Sequence, residues 1–196
     1  MKKPTAVKIA VFASGSGSNA ENIIRYFEKD DSVEIVSIVS NKACAYVHER
    51  SKSLNIPSYT FAKPEFENGE VLKLILKQQI DWIVLAGFLL KIPNNILQAY
   101  PNRIINIHPA LLPKYGGKGM YGLHVHEAVV ANRETESGIT IHYVNENYDE
   151  GAIIFQAKCE IFPNDSAEEV AAKVHELEYR WFPEVIEEVL SCPHHN

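Results

Sequence analysis

An asparagine and a histidine stand two residues apart in the segment Asn106-Ile107-His108-Pro109, which ends an apolar stretch. The apolar stretch predicts a strand, and alternate strand residues point to the same face, so we expect the side chains of Asn106 and His108 on one side. An amide donor beside an imidazole suits both stabilisation of a developing oxyanion and proton transfer. The alternative, which spacing leaves open, is that both side chains only order a loop.

Asp149 is a second candidate, in the polar segment Asn145 to Gly151. A carboxylate beside an imidazole orients the ring and raises its pKa. Asp149 is distant from His108 in sequence, so only the fold could bring the two together. The alternative is an ordinary solvated loop acid.

The run Ser14-Gly15-Ser16-Gly17-Ser18-Asn19 lies between a predicted strand and a predicted helix. Glycines allow a tight turn, and the start of a helix presents free N–H groups to an anion such as phosphate. The run lacks the GK[ST] ending of a P-loop and the third glycine of a dinucleotide fingerprint. An ordinary strand-to-helix turn is therefore an open alternative.

His124 and His126 form an HxH pair, with His142 further along the chain. Such a pair can bind zinc from one face of a strand, which leaves a zinc hydrolase as a rival hypothesis. The pair is predicted to precede a helix, and spacing specifies no third ligand. We therefore expect no metal.

Hydrophobic periodicity predicts the strands and helices that carry these residues. In the first half of the chain, short apolar segments alternate with amphipathic ones. Predicted strands cover 7–13, 33–39, 58–61, 82–86 and 103–107, and predicted helices cover 18–29, 43–54 and 67–79. This alternation predicts an α/β fold, an open and mostly parallel sheet flanked by helices.

In the second half of the chain, the alternation of strand and helix patterns gives way to two consecutive strand patterns. Strands predicted over 138–144 and 152–161 have a short polar connection, which indicates an antiparallel addition to the sheet. A final helix is predicted to begin near Ser166, with Glu169 completing a capping box, and Pro183 is expected to interrupt it.

Composition limits the class of protein. The 196 residues predict a single domain, and a net charge of −6 disfavours nucleic-acid partners. The longest strongly apolar run, 82–90, is too short to span a bilayer. Three cysteines, Cys44, Cys159 and Cys192, cannot all pair and form no CxxC, which predicts reduced thiols and a cytoplasmic location. We expect small-molecule partners, no membrane, and either a monomer or a homodimer.

Six segments, in order and spacing, resemble the phosphoribosylglycinamide formyltransferase family over nearly the whole chain. They are VFASGSGSNAENI (11–23), SNKACA (40–45), VLAGFLLKI (84–92), INIHPALLPKY (105–115), GLHVHEAV (122–129) and SGITIHYVNENYDEGAIIFQ (137–156). The predicted helix around Glu178 belongs to the same resemblance. The resemblance implies a Rossmann-like formyltransferase fold, with a nucleotide-phosphate half over about 1–100 and a folate and catalytic half over about 101–190.

The resemblance also implies roles for individual residues. The implied catalytic group is Asn106, His108 and Asp149. The implied substrate-binding residues are Gly17, Ser18, Asn19 and Glu178 for the ribonucleotide, and Leu89, Leu90, Lys91, Ile92 and again Asn106 for the folate.

The implied reaction transfers a formyl group from the co-substrate 10-formyltetrahydrofolate to the amine of phosphoribosylglycinamide, in purine biosynthesis and without a metal. Protonated His108 and Asn106 would stabilise the oxyanion, and Asp149 would keep His108 charged. A formyltetrahydrofolate hydrolase or another formyl-folate transferase is the nearest alternative. Both usually carry an additional domain, so we expect the nucleotide transferase. A non-catalytic nucleotide-binding module is a further alternative.

The chain departs from the family pattern in two places. The segment GGKGMY (116–121) is longer than the usual proline-glycine turn, and is expected to be either a mobile flap or a surface insertion. Arginines common in the family are replaced near the folate pocket by Leu90 and Lys91 and, after the first extended loop, by Lys63 and Pro64. Lys63 or Lys91 is a candidate partner for the glutamate tail of the folate.

Overall fold

The structure is a computed structural model that describes residues 6–192. The strands are β1 (Val7–Phe12), β2 (Val33–Ser40), β3 (Ser58–Thr60), β4 (Trp82–Leu85), β5 (Ile104–His108), β6 (Glu136–Tyr143) and β7 (Ile153–Glu160). The helices are α1 (Ser18–Phe27), α2 (Val47–Ser53), α3 (Lys63–Glu67), α4 (Glu70–Lys77), α5 (Asn94–Ala99), α6 (Leu123–Ala131) and α7 (Ala167–Ser191). Every predicted strand is confirmed, with ends that agree within two residues.

The seven strands form a sheet of order β3-β2-β1-β4-β5-β6-β7. β1 pairs in parallel with both β2 and β4, and β2 pairs in parallel with β3. β6 and β7 pair antiparallel. The α/β class, the mostly parallel sheet and its antiparallel addition in the second half are therefore confirmed.

The chain divides into two compact units, the first ending at Ile105 and the second beginning at Asn106. In the first unit, all four residues of β4 are buried, as expected for a parallel strand covered on both faces. Helix α1 buries one face, formed by Ala20, Ile23, Ile24 and Phe27, at the spacing of an amphipathic helix. That the whole chain is a single domain stays a prediction.

The predicted helix over 67–79 is wrong at its start. The structure has two helices there, α3 and α4, separated at Gly69 with φ of 90°. A residue in this left-handed conformation ends one helix and starts the next, and glycine adopts it without steric cost. Helix α2 is also shorter than the predicted 43–54, and α5 was not predicted.

Helix α7 confirms the capping box and corrects the interruption. The Ser166 side chain accepts the Glu169 backbone N–H at 3.2 Å, and the Glu169 carboxylate accepts the Ser166 N–H at 2.7 Å. Pro183 lies inside a continuous helix and is buried, as are Phe182 directly before it and Ile186 one helical turn after it. Burial of this apolar face outweighs the lost backbone hydrogen bond. No helix within residues 6–192 is both long and apolar enough to cross a membrane.

Candidate active site

Asn106 lies on β5, and its amide contacts a histidine of the neighbouring second-unit strand β6. Asn106 Nδ2 is 3.0 Å from Nε2 of His142, and His142 Nδ1 is 2.8 Å from the Tyr143 carbonyl oxygen. A carbonyl only accepts, so Nδ1 carries the hydrogen and Nε2 accepts one Asn106 N–H. This bond orients the Asn106 amide and leaves its second N–H for another acceptor.

His108 is the last residue of β5, and its side chain is 5% exposed. Its Nε2 donates to the Tyr115 carbonyl oxygen at 2.7 Å. On the other side of the ring, Nδ1 lies 3.6 Å from Oδ2 of Asp149. The fold therefore brings together the imidazole and the carboxylate that sequence spacing could not connect.

Burial lowers the pKa of His108 below its ordinary value of about 6.5. Asp149 and the Tyr115 carbonyl act in the opposite direction but do not outweigh the loss of hydration. The shift therefore favours the neutral ring in this conformation, and the role of Asp149 in keeping His108 charged stays a prediction. Nε2 carries the hydrogen and Nδ1 carries a lone pair.

Asp149 follows β6 and is 13% exposed at its side chain. Its Oδ2 accepts the backbone N–H of Gly117 at 2.8 Å, and its Oδ1 lies 3.7 Å from His142 Nε2. Burial raises the pKa of Asp149, but the interactions with His142 and His108 and the Gly117 N–H outweigh it, and the net pKa is lowered. Asp149 is therefore an ionised carboxylate beside the His108 ring.

The segment after β5 contacts both reactive groups through its backbone. The Tyr115 carbonyl holds His108 Nε2, and the Gly117 N–H holds Asp149. Tyr115 and Gly117 both have left-handed φ values, 57° and 96°. Gly116 also packs closely, since an added Cβ would lie 2.6 Å from the Leu112 side chain and 3.3 Å from Asp149 Cβ. The segment 116–121, which is longer than the usual turn of the family, therefore begins next to Asp149.

Glu178 lies on α7, with its side chain 12% exposed and Oε2 3.0 Å from His175 Nδ1. Its negative charge raises the pKa of both His108 and His126, although burial prevails at each ring. Glu178 thus belongs to the electrostatic surroundings of His108.

The other expected binding residues lie in the first unit. Gly17 precedes α1 with φ of 73°, and Ser18 and Asn19 open that helix. Leu89, Leu90, Lys91 and Ile92 follow β4, and this segment is held to Ser14 at the start of the glycine loop. The Ser14 N–H donates to the Gly87 carbonyl at 3.0 Å, and the Leu89 N–H donates to Ser14 Oγ at 2.9 Å.

His124 and His126 lie within α6, and the prediction that they precede a helix is wrong. Residues two apart on a helix point in different directions. His124 is exposed and His126 is buried, so the pair does not converge as an HxH pair on a strand would. Within residues 6–192, no three His, Cys, Asp or Glu side chains are grouped to hold a metal ion.

In the sequence, His142 is a candidate only as a metal ligand, and its contact with Asn106 becomes visible only in the structure. The position of His142 on a predicted strand is a clue to this contact, because that strand, β6, lies beside β5 in the sheet. The pairing still depends on register, which no short motif specifies.

The family model described as formyl transferase matches residues 7–186. A relative from Haemophilus influenzae named phosphoribosylglycinamide formyltransferase is 40% identical, over 91% of this chain and 85% of that protein. A chloroplastic protein of that name from Arabidopsis thaliana is 42% identical, over 94% of this chain and 65% of that protein. The chain thus spans slightly less than two thirds of the plant relative.

Solved structures of proteins with the same name are also similar to this chain. The phosphoribosylglycinamide formyltransferase from Streptococcus pneumoniae superposes with a TM-score of 0.84 at 36% identity, over 94% of this chain and 99% of that one. The corresponding protein from Bacillus halodurans has a TM-score of 0.85 at 36% identity, over 94% and 95% of the two chains.

Proposed function

Because the chain belongs to the formyl transferase family, we propose that it transfers the formyl group of 10-formyltetrahydrofolate to the amine of phosphoribosylglycinamide. The products are the formylated ribonucleotide and tetrahydrofolate, a step of purine biosynthesis. The relatives named phosphoribosylglycinamide formyltransferase support this substrate pair. The observation that carries the proposal is the grouping of Asp149 with the buried His108 and, through His142, with Asn106.

The first step is attack of the amine nitrogen on the formyl carbon. The carbonyl oxygen of the formyl group gains negative charge as a tetrahedral intermediate forms. Asn106 has a second N–H to donate to that oxygen, since His142 holds the first. His108 Nε2–H is the second donor once it exchanges the Tyr115 carbonyl for the substrate oxygen. A donor that is already oriented, as Asn106 is by His142, contributes about 3–4 kcal/mol in studied hydrolases.

The second step moves a proton. The attacking amine loses one, the folate N10 gains one, and the bond between the formyl carbon and N10 breaks. A neutral His108 has a lone pair at Nδ1 to accept a proton, through water if the amine does not reach it. The resulting imidazolium faces ionised Asp149, whose Oδ2 is 3.6 Å away. Asp149 therefore stabilises a charge that arises during the reaction.

In this proposal the glycine loop with Gly17, Ser18 and Asn19 binds the phosphate of the ribonucleotide, and Glu178 binds its glycinamide end. Leu89 to Ile92, together with Asn106, bind the folate. Free N–H groups at the start of α1 suit a phosphate. The carboxylate of Glu178 suits an amine. Holding two substrates together contributes to the rate through proximity.

The remaining parts of the proposal are a cytoplasmic location, partners that are small molecules rather than nucleic acid, and a monomer or homodimer. The three cysteines are unpaired, which supports a reducing compartment, and the charge of −6 disfavours a nucleic-acid surface.

The test mixes chelator-treated protein with 10-formyltetrahydrofolate, with and without phosphoribosylglycinamide. Folate absorbance reports deformylation, and mass spectrometry identifies the nucleotide product. We expect formyl loss only with the ribonucleotide, together with a product heavier by one formyl group. Equal loss without the ribonucleotide would establish the hydrolase instead. No loss in either tube would contradict catalysis and leave the nucleotide-binding module.

A further inference from the structure

An arginine outside the expected site residues contacts the glycine loop. Arg50 lies on α2, and its Nε donates to the Ser16 carbonyl oxygen at 2.8 Å, across 34 residues of sequence. The same guanidinium forms an ion pair with Glu21 on α1. Arg50 therefore joins the loop to the helix that follows it.

The bond to Ser16 has a consequence for the next residue. A trans peptide is planar, so its C=O and N–H point in opposite directions. With the Ser16 carbonyl turned toward Arg50, the Gly17 N–H must point away from it. Gly17 tolerates either orientation of this peptide better than other residues, because it has no Cβ. Arg50 removes that freedom.

The preceding peptide is held in the same way. The Val47 N–H, at the start of α2, donates to the Gly15 carbonyl at 3.2 Å. Two successive loop carbonyls thus face α2, and the N–H groups of Ser16 and Gly17 are turned from it. Successive N–H groups held in one direction form a concavity suited to anions. Helix α2 also lies against the loop, since a Cβ on Gly17 would come within 2.9 Å of the Val47 Cα.

Glu21 holds the guanidinium in place. Hydrogen bonds from Arg25 and Arg50 lower the pKa of Glu21, so it is ionised at neutral pH. The Arg50 side chain is 30% exposed and Glu21 is 19% exposed, whereas Arg25 is 58% exposed. Arg25 bonds the same carboxylate from within α1, four residues further along that helix. Arg25 is therefore a matched control for the charge and ion pair of Arg50.

We propose that Arg50 is a positioning residue for sugar-phosphate recognition, which it serves by fixing the Ser16–Gly17 peptide with its N–H toward the phosphate. This inference rests on the proposed function, in which the glycine loop binds the phosphate of the ribonucleotide. Without the guanidinium, that peptide is free to turn its carbonyl oxygen toward the anion, which repels it. Arg50 acts through the loop backbone and needs no contact with substrate.

The test compares Arg50→Gln, Arg50→Lys and the control Arg25→Gln with the unaltered protein. The kinetic readout is kcat/KM for phosphoribosylglycinamide divided by that for the same compound without its phosphate. A hydrogen bond from a charged group corresponds to a factor of about ten or more in binding. We expect Arg50→Gln to lower this ratio by about tenfold or more, with KM for the folate within about twofold of the unaltered protein. Arg25→Gln should leave the ratio within about twofold.

A binding readout separates this inference from the proposed function. Titration with ribose 5-phosphate, followed by NMR of the Gly17 amide, requires no catalysis. Weaker binding in Arg50→Gln, but not in Arg25→Gln, supports the inference even if the protein formylates nothing. An unchanged phosphate ratio and unchanged ribose 5-phosphate binding in Arg50→Gln would overturn it, as would no binding by the unaltered protein. If Arg50→Gln does not fold, Arg50→Lys decides, because a lysine cannot bond Ser16 and Glu21 with one planar group and should show the same loss.

Discussion

Replacing Asp149 with asparagine tests the proposed role of this carboxylate. The change keeps the shape of the side chain and an oxygen able to accept the Gly117 N–H, which lies 2.8 Å from Oδ2. It removes the negative charge 3.6 Å from His108 Nδ1. The fold should therefore persist while the imidazolium formed during proton transfer loses its partner.

The size of the effect follows from that distance. Two unit charges 3.6 Å apart attract by about 4–5 kcal/mol at an effective dielectric constant of about 20. Water reaches the 13% of the Asp149 side chain that is exposed and screens part of this attraction. We expect about 3 kcal/mol of lost transition-state stabilisation, which lowers kcat by about a hundredfold.

The assay is steady-state formylation of phosphoribosylglycinamide over a range of pH. A nearby negative charge favours the imidazolium, so its removal lowers the pKa of His108 further. The acid limb of the kcat/KM profile should therefore move to lower pH in Asp149→Asn. Glu150→Gln is the control, because it removes the same charge from an exposed neighbour whose carboxylate bonds Asn147.

Two results would refute this reasoning. One is an Asp149→Asn protein that folds and retains kcat within about tenfold of the unaltered protein. The other is a Glu150→Gln protein that loses as much activity as Asp149→Asn, since the effect would then be general charge rather than contact with His108.

Three further predictions concern the surroundings of this group. Thr140→Val should lower the free energy of unfolding by about 2–4 kcal/mol in urea titrations, because Thr140 Oγ1 donates to one buried backbone carbonyl and accepts two N–H groups. The control Thr140→Ser loses only a methyl group and should lower it by about 1 kcal/mol. Equal losses in the two variants would contradict this. His142→Leu should lower kcat by about tenfold with little change in KM, because Asn106 loses the acceptor that orients it; an unchanged kcat in the steady-state assay would show that His142 does not position Asn106. The free energy of unfolding should fall as pH drops below about 6.5. Burial lowers the pKa of His108 and His126 in the folded protein, so the unfolded chain binds protons at these two residues at a higher pH than the folded protein does. Equal unfolding free energies at pH 7 and pH 5 would be inconsistent with this.

Much of the fold could be predicted because its signals are local. Strand β4 is a short apolar run and α1 repeats its apolar residues at helical spacing, so a few adjacent residues determine each element. The misses occur where context outweighs the local signal. Gly69 divides a predicted helix by adopting a left-handed conformation, and Pro183 stays within α7 because the helix face around it is buried.

Local patterns in the sequence identify which residues could do chemistry and which elements carry them: Asn106 and His108 at the end of β5, and the glycine loop before α1. The contacts of those residues depend on how distant segments pack. The tertiary structure places Asp149 beside His108, His142 against Asn106, and Arg50 on the Ser16 carbonyl. Burial, and not any neighbour in sequence, is likewise the largest cause of the lowered pKa of His108. Backbone preferences arise within a few residues, whereas desolvation and side-chain contacts arise only when distant segments pack together.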